Sequence, residues 1–256
     1  MSRPDEKDVR RPTEPIWTQP PPGRRRPRYT REQIAAAALA IADAEGYEAV
    51  SMRRVAAELG AGTMTLYHYV RTKDDLRALM DDAMMAELLV PPGELATDWR
   101  EAIAEIARRS RIAFRRHPWA LTTRESGEAG GPNGLRHFEQ SLAAVAGTGL
   151  DVAARLEIIA MVDDYVIGFS TREAAMHDAG GVEDIPTALL DYLQRQLDTG
   201  EYPHIAELAS GGEPREVVGR IVATMLDEQR FERGLARVLD GIAVDVERRA
   251  AARPPT

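Results

Sequence analysis

Cysteine is absent from the 256 residues, aromatic residues make up only 5%, and the sequence contains no long apolar run. The absence of cysteine excludes a disulfide framework, a thiolate metal site and a cysteine nucleophile. No apolar stretch approaches the roughly 18–20 residues that cross a bilayer. No apolar stretch follows residues 1–6 either, which argues against a secretory signal. We therefore expect a cytoplasmic protein without a membrane partner.

Charge is distributed unevenly along the chain. The net charge is −8, which by itself argues against a nucleic-acid-binding protein. Residues 24–73, however, carry nine Arg and Lys against five Asp and Glu, whereas residues 74–256 carry 20 against 32. A short basic segment followed by a long acidic one is typical of a DNA-contacting head on a body that DNA repels.

Apolar residues recur at helical intervals through most of the sequence, and no alternating strand pattern is evident. We therefore expect an all-α fold, with glycine and proline pairs separating the helices. After the first four helices, which lie between residues 30 and 89, further helices are predicted near residues 98–116, 119–126, 134–147, 151–178, 187–198, 203–209 and 215–249. The last of these can be interrupted.

Residues 1–28 are rich in proline and charge, with three consecutive prolines and a run of arginines. Because proline lacks a backbone donor and resists helix formation, we expect this tail to be disordered or extended. It is either a solvated tail or a basic arm that follows the DNA backbone or enters a minor groove. In the second case Arg26 and Arg28 contact DNA.

Three short helices are predicted between residues 30 and 70. Thr30 and Gln33 have the spacing of a capping box, which opens the first helix. Ser51 and Gly60 mark the start and the end of the second. A third short helix follows over residues 63–70, after a tight turn. This succession is typical of a helix-turn-helix.

The third helix has the pattern required of a recognition helix, because Leu66 and Val70 lie four residues apart and face inward. The positions left facing outward are Thr63, Thr65, Tyr67 and His68. Threonine side chains can touch thymine methyls and base edges. Tyr67, together with Arg53 and Lys73, can reach phosphates. The alternative is that three short helices merely cap a helical bundle.

This segment resembles the TetR family of tetracycline-repressor-like regulators. The matching runs are Gly46-Tyr47, residues 51–60, residues 62–70 and residues 73–76, of which Leu-Tyr-His-Tyr-Val and Lys-Asp-Asp-Leu are the most specific. The resemblance implies a three-helix DNA-binding head and a fourth helix that links it to a ligand-binding, dimerising body. It implies base contacts for Thr63, Thr65 and His68, and base or phosphate contacts for Arg53, Tyr67, Tyr69 and Lys73. Periodicity alone also allows Tyr69 to pack between helices.

The rest of the chain resembles, more loosely, the C-terminal domain of the tetracycline-repressor branch. The matching runs are residues 116–119, 164–169, 231–235 and 239–242. The helix over residues 151–178 is apolar on more than one side and must be covered on more than one side. Either a partner subunit and a pocket cover it, or the core of a monomer does. The resemblance implies a homodimer through the helices near 151–178 and 227–249, as a four-helix bundle.

A pocket for a small-molecule effector needs apolar walls and few polar groups. The candidate lining residues are Trp99, Ile103, Phe114, His117, Trp119, Phe138, Met161, Tyr165 and Phe169. Each of them can instead belong to the core. No two of the five histidines are four residues apart on a helix, so we expect neither a metal site nor a cofactor.

These patterns predict an N-terminal arm (1–28), a DNA-binding domain (29–75) and a ligand-binding and dimerisation domain (76–250). The predicted function is a ligand-responsive repressor that binds a double-stranded, pseudo-palindromic operator as a homodimer and is released by a small-molecule inducer. The alternative is an activator or a ligand-independent DNA-binding protein with the same head. No phosphate loop, nucleophile motif or metal cluster indicates an enzyme.

Overall fold

A computed structural model describes residues 14–20, 28–122, 130–178, 185–208 and 213–251. The described ranges contain helices and turns and no strand, which confirms the all-α prediction. The chain divides into two compact units, the first formed by Met1–Leu89 with Thr122–Glu139 and the second by Val90–Leu121 with Gln140–Thr256. No helix within the described ranges is long and apolar enough to cross a membrane.

The first unit is built around four helices. They are α1 (Arg31–Glu45), α2 (Met52–Glu58), α3 (Thr63–Leu66) and α4 (Lys73–Leu88), with short 3-10 helices at Ile16–Thr18 and Tyr47–Ala49. Helices α1 and α4 pack against each other most extensively. Side chains with at most 2% exposure form the core between the helices, among them Ile34, Ile41, Val55, Leu66, Val70, Leu76 and Met80.

Side-chain caps set where these helices begin. The capping box of Thr30 and Gln33 is present, with Gln33 N donating to Thr30 Oγ1 and Thr30 N donating to Gln33 Oε1. Ser51 accepts a hydrogen bond from the Arg54 amide at the start of α2. Thr72 and Asp75 form a second box at the start of α4. Each cap stabilises its helix by about 1 kcal/mol, because it satisfies a backbone donor that the helix leaves unpaired.

The N-terminal tail differs from the sequence expectation in part. Residues 14–20 are folded onto the first unit, and Ile16 is only 1% exposed. The Arg31 guanidinium donates to the Ile16 carbonyl at 3.0 Å, and the Gln19 amide donates to the Asp75 carboxylate at 3.3 Å. Proline excludes an α-helix interior but permits a single 3-10 turn after Pro15, and the buried isoleucine anchors that turn. Arg26 lies outside the described residues.

The second unit contains most of the remaining helices. They are α5 (Trp99–Arg116), α7 (Val152–Asp178), α8 (Thr187–Asp198), α9 (Pro203–Ala206), α10 (Pro214–Met225) and α11 (Arg230–Ala251), with a 3-10 helix at Pro118–Leu121. Helix α6 (Pro132–Ala146) is shared, since the division between units falls at residue 140.

Most predicted helices agree with these bounds within two residues, and three differ, one of which is the predicted 203–209 helix, regular only over Pro203–Ala206. The third helix is regular only over residues 63–66, because His68 and Tyr69 then bond three residues back and tighten the turn. The predicted 119–126 helix is a 3-10 turn to residue 121, and most of its remainder lies outside the described residues. The interruption allowed for the 215–249 segment falls at residues 226–229, where the Asp227 carboxylate accepts a hydrogen bond from the Gln229 amide just before α11 begins.

Helix α11 is held against α7 by an aromatic cluster. The Phe231 ring is fully buried and lies 5.2 Å from the Phe169 ring and 5.5 Å from the Tyr165 ring. Tyr165 donates its hydroxyl to the Phe231 carbonyl at 2.8 Å, and burial raises the pKa of this phenol. The ring also lies directly against Gly234, where a Cβ atom would collide with it. The glycine therefore sets how closely the two helices approach.

Candidate DNA-binding surface and effector cavity

Helices α2 and α3 and the turn between them form the helix-turn-helix. Gly60 has φ of 61°, a left-handed conformation that glycine adopts without a steric penalty, and it reverses the chain after α2. The Ala61 amide then bonds back to the Ala56 carbonyl at 2.8 Å. Leu66 and Val70 have 0% exposure, as predicted from their spacing. Their burial turns the opposite side of residues 63–68 toward solvent.

That exposed side presents a narrow strip of polar and apolar side chains. Thr63 and Thr65 are half-buried, His68 is exposed and Tyr67 is 44% exposed. The most exposed large apolar side chain is Met64, at 75%. Sequence analysis omitted Met64, although its position between two outward threonines would have identified it. Apolar and hydroxyl side chains together can read thymine methyl groups and base edges in a major groove.

Cationic side chains flank the strip. Arg53 on α2 and Lys73 at the start of α4 are both exposed. Arg28 is exposed as well, with its guanidinium 5.5 Å from the centre of the Tyr29 ring. Arg54, by contrast, forms ion pairs with Glu45 at 2.6 Å and Glu58 at 2.8 Å. The Glu45 pair ties α2 to α1 and the Glu58 pair lies within α2. Both engage Arg54, so Arg53 rather than Arg54 is available to a phosphate.

Tyr69 does not lie on the exposed strip. Its side chain is 8% exposed, and its ring meets the edge of the Tyr29 ring at 6.4 Å. Its hydroxyl accepts a hydrogen bond from the Tyr29 amide at 3.5 Å. The tightened turn after Leu66 rotates the side chain inward. This burial favours the packing role that periodicity also allowed for Tyr69 over a DNA contact.

Within the described part of the chain, the predicted effector-lining residues lie in different surroundings. Ile103, Phe114, His117 and Trp119 are buried, whereas Phe138 and Met161 are 46% and 52% exposed. Trp99 is half-buried at the first position of α5, and Tyr165 and Phe169 belong to the cluster with Phe231. Apolar periodicity shows that a residue faces away from water, but it does not distinguish a core, an interface and a cavity wall.

A cavity of about 280 Å³ lies between α5 and α7 of the second unit. Its lining residues are Phe114, Arg115, Pro118, Ser170, Glu173, Ala174 and His177. Only Phe114 among them was predicted from the sequence. The polar residues were missed because each, viewed singly, resembles an ordinary residue of a solvated helix face.

A buried carboxylate connects α4 to the start of α6. Asp82 is 8% exposed, and its Oδ1 accepts hydrogen bonds from the Asn133 amide at 2.8 Å and the Gly134 amide at 3.1 Å. The Asn133 side chain donates to Asp82 Oδ2 at 2.9 Å. Asp82 therefore caps the N-terminus of α6 from another helix. In the second unit, the Gln140 side chain of α6 bonds both the amide and the carbonyl of Val90.

Comparison with known proteins places both parts of the chain in one family. Residues 34–80 match the family model for bacterial regulatory proteins of the tetR family. Residues 91–246 match that of the tetracyclin repressor-like C-terminal domain. The resemblance inferred from the sequence motifs is thereby confirmed.

Individual relatives agree with this assignment. The chain is 35% identical to the HTH-type transcriptional repressor DrrR1 of Streptomyces coeruleorubidus, over 97% of this chain and 90% of that one. It is 32% identical to an HTH-type transcriptional regulator of Saccharopolyspora erythraea, over 75% and 80%. The crystal structure of the TetR family protein ActR of Streptomyces coelicolor with actinorhodin matches with a TM-score of 0.63 at 27% identity, over 85% of this chain and 97% of that one. The chain therefore belongs to the tetR family of bacterial regulatory proteins and is a transcriptional repressor.

Proposed function

We propose that this repressor binds a pseudo-palindromic operator as a homodimer and leaves it when a small-molecule effector enters the body. The observation that carries the proposal is the exposed strip at residues 63–68, which faces solvent because Leu66 and Val70 are buried on the opposite side. In the proposed arrangement residues 29–75 act as the DNA-binding domain and residues 76–250 as the ligand-binding and dimerisation domain.

The proposed DNA contacts follow from exposure. Thr63, Met64, Thr65 and His68 would meet base edges. Tyr67, Arg53, Lys73 and Arg28 would meet phosphates and set the position of the helix in the groove. Two copies of α3 would be spaced by one turn of duplex, about 34–36 Å, so that each reads one half of the operator.

The proposed dimer uses α7 and α11. Helix α7 exposes Val152 at 60%, Leu156 at 40% and Met161 at 52%, and α11 exposes Val244 at 45%. Large apolar side chains exposed along a helix are typical of an interaction surface. Two copies of α7 and α11 would bury them in a four-helix bundle. The exposure of Met161 favours this role over a place in a pocket wall.

The effector is proposed to act through helix α6 on α4. ActR binds actinorhodin in its crystal structure, which supports the idea that a body of this type accepts a small molecule. A movement of α6 would reach α4 through the Asp82 cap, because the cap exists only while the two helices keep their spacing. A shift of α4 would change the distance between the two heads and so their fit to the operator. DNA and effector would then weaken each other's binding by the same factor.

An electrophoretic mobility shift with the DNA flanking the protein's own gene tests the proposed operator binding. Wild type should give a specific shift that Tyr67→Ala abolishes, since Tyr67 is exposed on the strip. Tyr202→Ala is the matched control, because Tyr202 has a similar exposure of 38% but lies in the second unit. Equal shifts by wild type and Tyr67→Ala would contradict the proposed surface.

A further inference from the structure

The cavity between α5 and α7 presents one continuous face of α7. Ser170, Glu173, Ala174 and His177 follow the spacing i, i+3, i+4 and i+7, which places them on one side of a helix. Phe114, Arg115 and Pro118 form the opposite wall. Its volume of about 280 Å³ lies near the lower limit of small-molecule sites. The space therefore suits a compact molecule, on the scale of a single ring.

Ser170 supplies the first indication of a ligand. The residue is 2% exposed, and its Oγ is buried without a hydrogen-bond partner among the described residues. A buried hydroxyl in this state is unfavourable, and natural proteins rarely keep one without a use. The hydroxyl does not even bond to the carbonyl one turn earlier in α7, which is the common solution for serine in a helix. It is therefore available to a hydrogen-bonding group of a bound molecule.

The charges of the cavity wall determine which sign of charge a bound molecule should carry. The Glu173 carboxylate is bound by the Arg111 guanidinium at 2.6 and 3.3 Å, and both side chains are largely buried. Arg111 is itself held over the Phe169 and Phe231 rings at 5.1 and 4.7 Å. The negative charge of Glu173 is thus neutralised inside the protein. Arg115 has no ion-pair partner within the described ranges, so the wall retains a positive charge.

The apolar part of the cavity wall determines the shape of the molecule that fits. Phe114 is 4% exposed, and Pro118 and Ala174 complete an apolar surface beside Arg115. We propose that this cavity binds a compact organic acid with a flat apolar body, whose anion meets Arg115 and which hydrogen-bonds the Ser170 hydroxyl. This assignment rests on the proposed function and gives the effector a site and a chemical class.

Three probes of equal size and different charge test the assignment on the full-length protein without DNA. They are benzoate (anionic), benzamide (neutral) and benzamidine (cationic), with binding measured by ligand-observed saturation-transfer NMR and calorimetry. Benzoate should bind at least about tenfold more tightly than benzamide, because a charge-assisted hydrogen bond is stronger than a neutral one. Benzamidine should bind most weakly, since its cation meets Arg115.

Two variants and a control locate the site. Arg115→Gln should remove the preference for benzoate over benzamide. Ser170→Ala should weaken the binding of benzoate about three- to tenfold, since one hydrogen bond is lost. The same substitution should raise the Tm of the unliganded protein, because it removes a buried hydroxyl without a partner among the described residues. Arg116→Gln is the matched control, because Arg116 is also exposed and adjacent but does not line the cavity. It should leave all three affinities unchanged.

Each other outcome overturns the assignment. Absence of benzoate binding up to about 10 mM, equal binding of the three probes, or benzoate binding that neither Arg115→Gln nor Ser170→Ala alters would all do so. The operator mobility shift is measured separately and without effector. A protein that shifts the operator but fails the probe test keeps its proposed DNA binding and loses only this effector site.

Discussion

At the scale of single residues, the helix-turn-helix separates the side chains proposed to contact DNA from those that pack in the fold. Tyr67 and Tyr69 are two residues apart, yet one is 44% exposed and the other 8%. The tightened turn after Leu66 causes this difference. Met64, with 75% exposure, adds an apolar group to the proposed base-reading strip.

The first prediction concerns the different roles of Met64 and Lys73. Met64→Ala should relax the preference for thymine at one position of each half-site, with a discrimination loss of about 1–3 kcal/mol. Lys73→Gln should weaken binding to all sequences alike and reduce the slope of log K against log salt by about 1 per subunit. Selection from a randomised operator pool, followed by salt titration, measures both effects. An unchanged base preference in Met64→Ala would remove Met64 from the base-reading set.

The second prediction concerns the two glycines of α11. Gly234→Ala should destabilise the protein by about 1–3 kcal/mol, because the new methyl group would overlap the hydroxyl and ring of the half-buried Tyr165. Gly241→Ala is the matched control, since its Cβ meets no atom within 4 Å. It should stabilise by up to about 1 kcal/mol, as alanine favours helix more than glycine does. Urea unfolding at a fixed protein concentration measures both, and equal stability of the two variants would contradict the tight α7–α11 contact.

At the scale of secondary-structure elements, α6 is distinguished by how its start is satisfied. Several helices in the described ranges are capped by the residue just before their first turn, such as Thr30 or Asp98. The start of α6 is capped from α4 by Asp82. A cap supplied by another helix makes the integrity of one element depend on the position of the other.

The third prediction follows from that cap. Asp82→Ala should lower stability by about 1–3 kcal/mol, because it leaves the half-buried Asn133 amide and the buried Gly134 amide without this acceptor. Hydrogen exchange should accelerate at the first turn of α6 before it does in α1. Urea unfolding and hydrogen-exchange mass spectrometry measure the two effects, with Glu87→Ala on α4 as a control. Unchanged protection of the first α6 turn would show that the cap does not hold α6 to α4.

At the scale of the whole molecule, charge and apolar exposure suggest different partners for different regions. The acidic body repels DNA, so operator affinity should depend steeply on salt through contacts confined to the basic head. The exposed apolar side chains of α7, in contrast, suit a second copy of the chain.

The fourth prediction tests the proposed dimer. Met161→Glu should raise the dimer dissociation constant by on the order of 100-fold, because it would place an unpaired charge in an apolar interface. Operator affinity should fall with it, since a monomer contacts one half-site. Ile112→Glu is the control, because Ile112 is 66% exposed on α5 and lies outside the proposed interface. Analytical ultracentrifugation measures the dimer dissociation constant of both variants. A dimer that Met161→Glu leaves unchanged would show that the interface lies elsewhere.

The sequence by itself determined the helical fold, the caps and the family. Thr30, Gln33, Ser51 and Gly60 act locally, through bonds to backbone groups within a few residues, so their spacing in the chain is enough to predict them. The burial of Leu66 and Val70 could also be predicted from their spacing of four residues, since the Val70 amide still bonds to the Leu66 carbonyl. The tail was predicted less well, because the docking of Ile16 on the first unit depends on residues distant in the chain.

Tertiary structure alone decided which side chains meet across helices. The Ser170 hydroxyl and Arg115, which have no partner within the described ranges, and the neutralised Glu173 line one cavity only because α5 and α7 pack with one particular rotation and offset. Asp82 caps α6 for the same reason, across about fifty positions of sequence. Periodicity identifies the face a residue lies on but not what that face packs against. For this reason Phe138 and Met161 were predicted as pocket residues and are exposed.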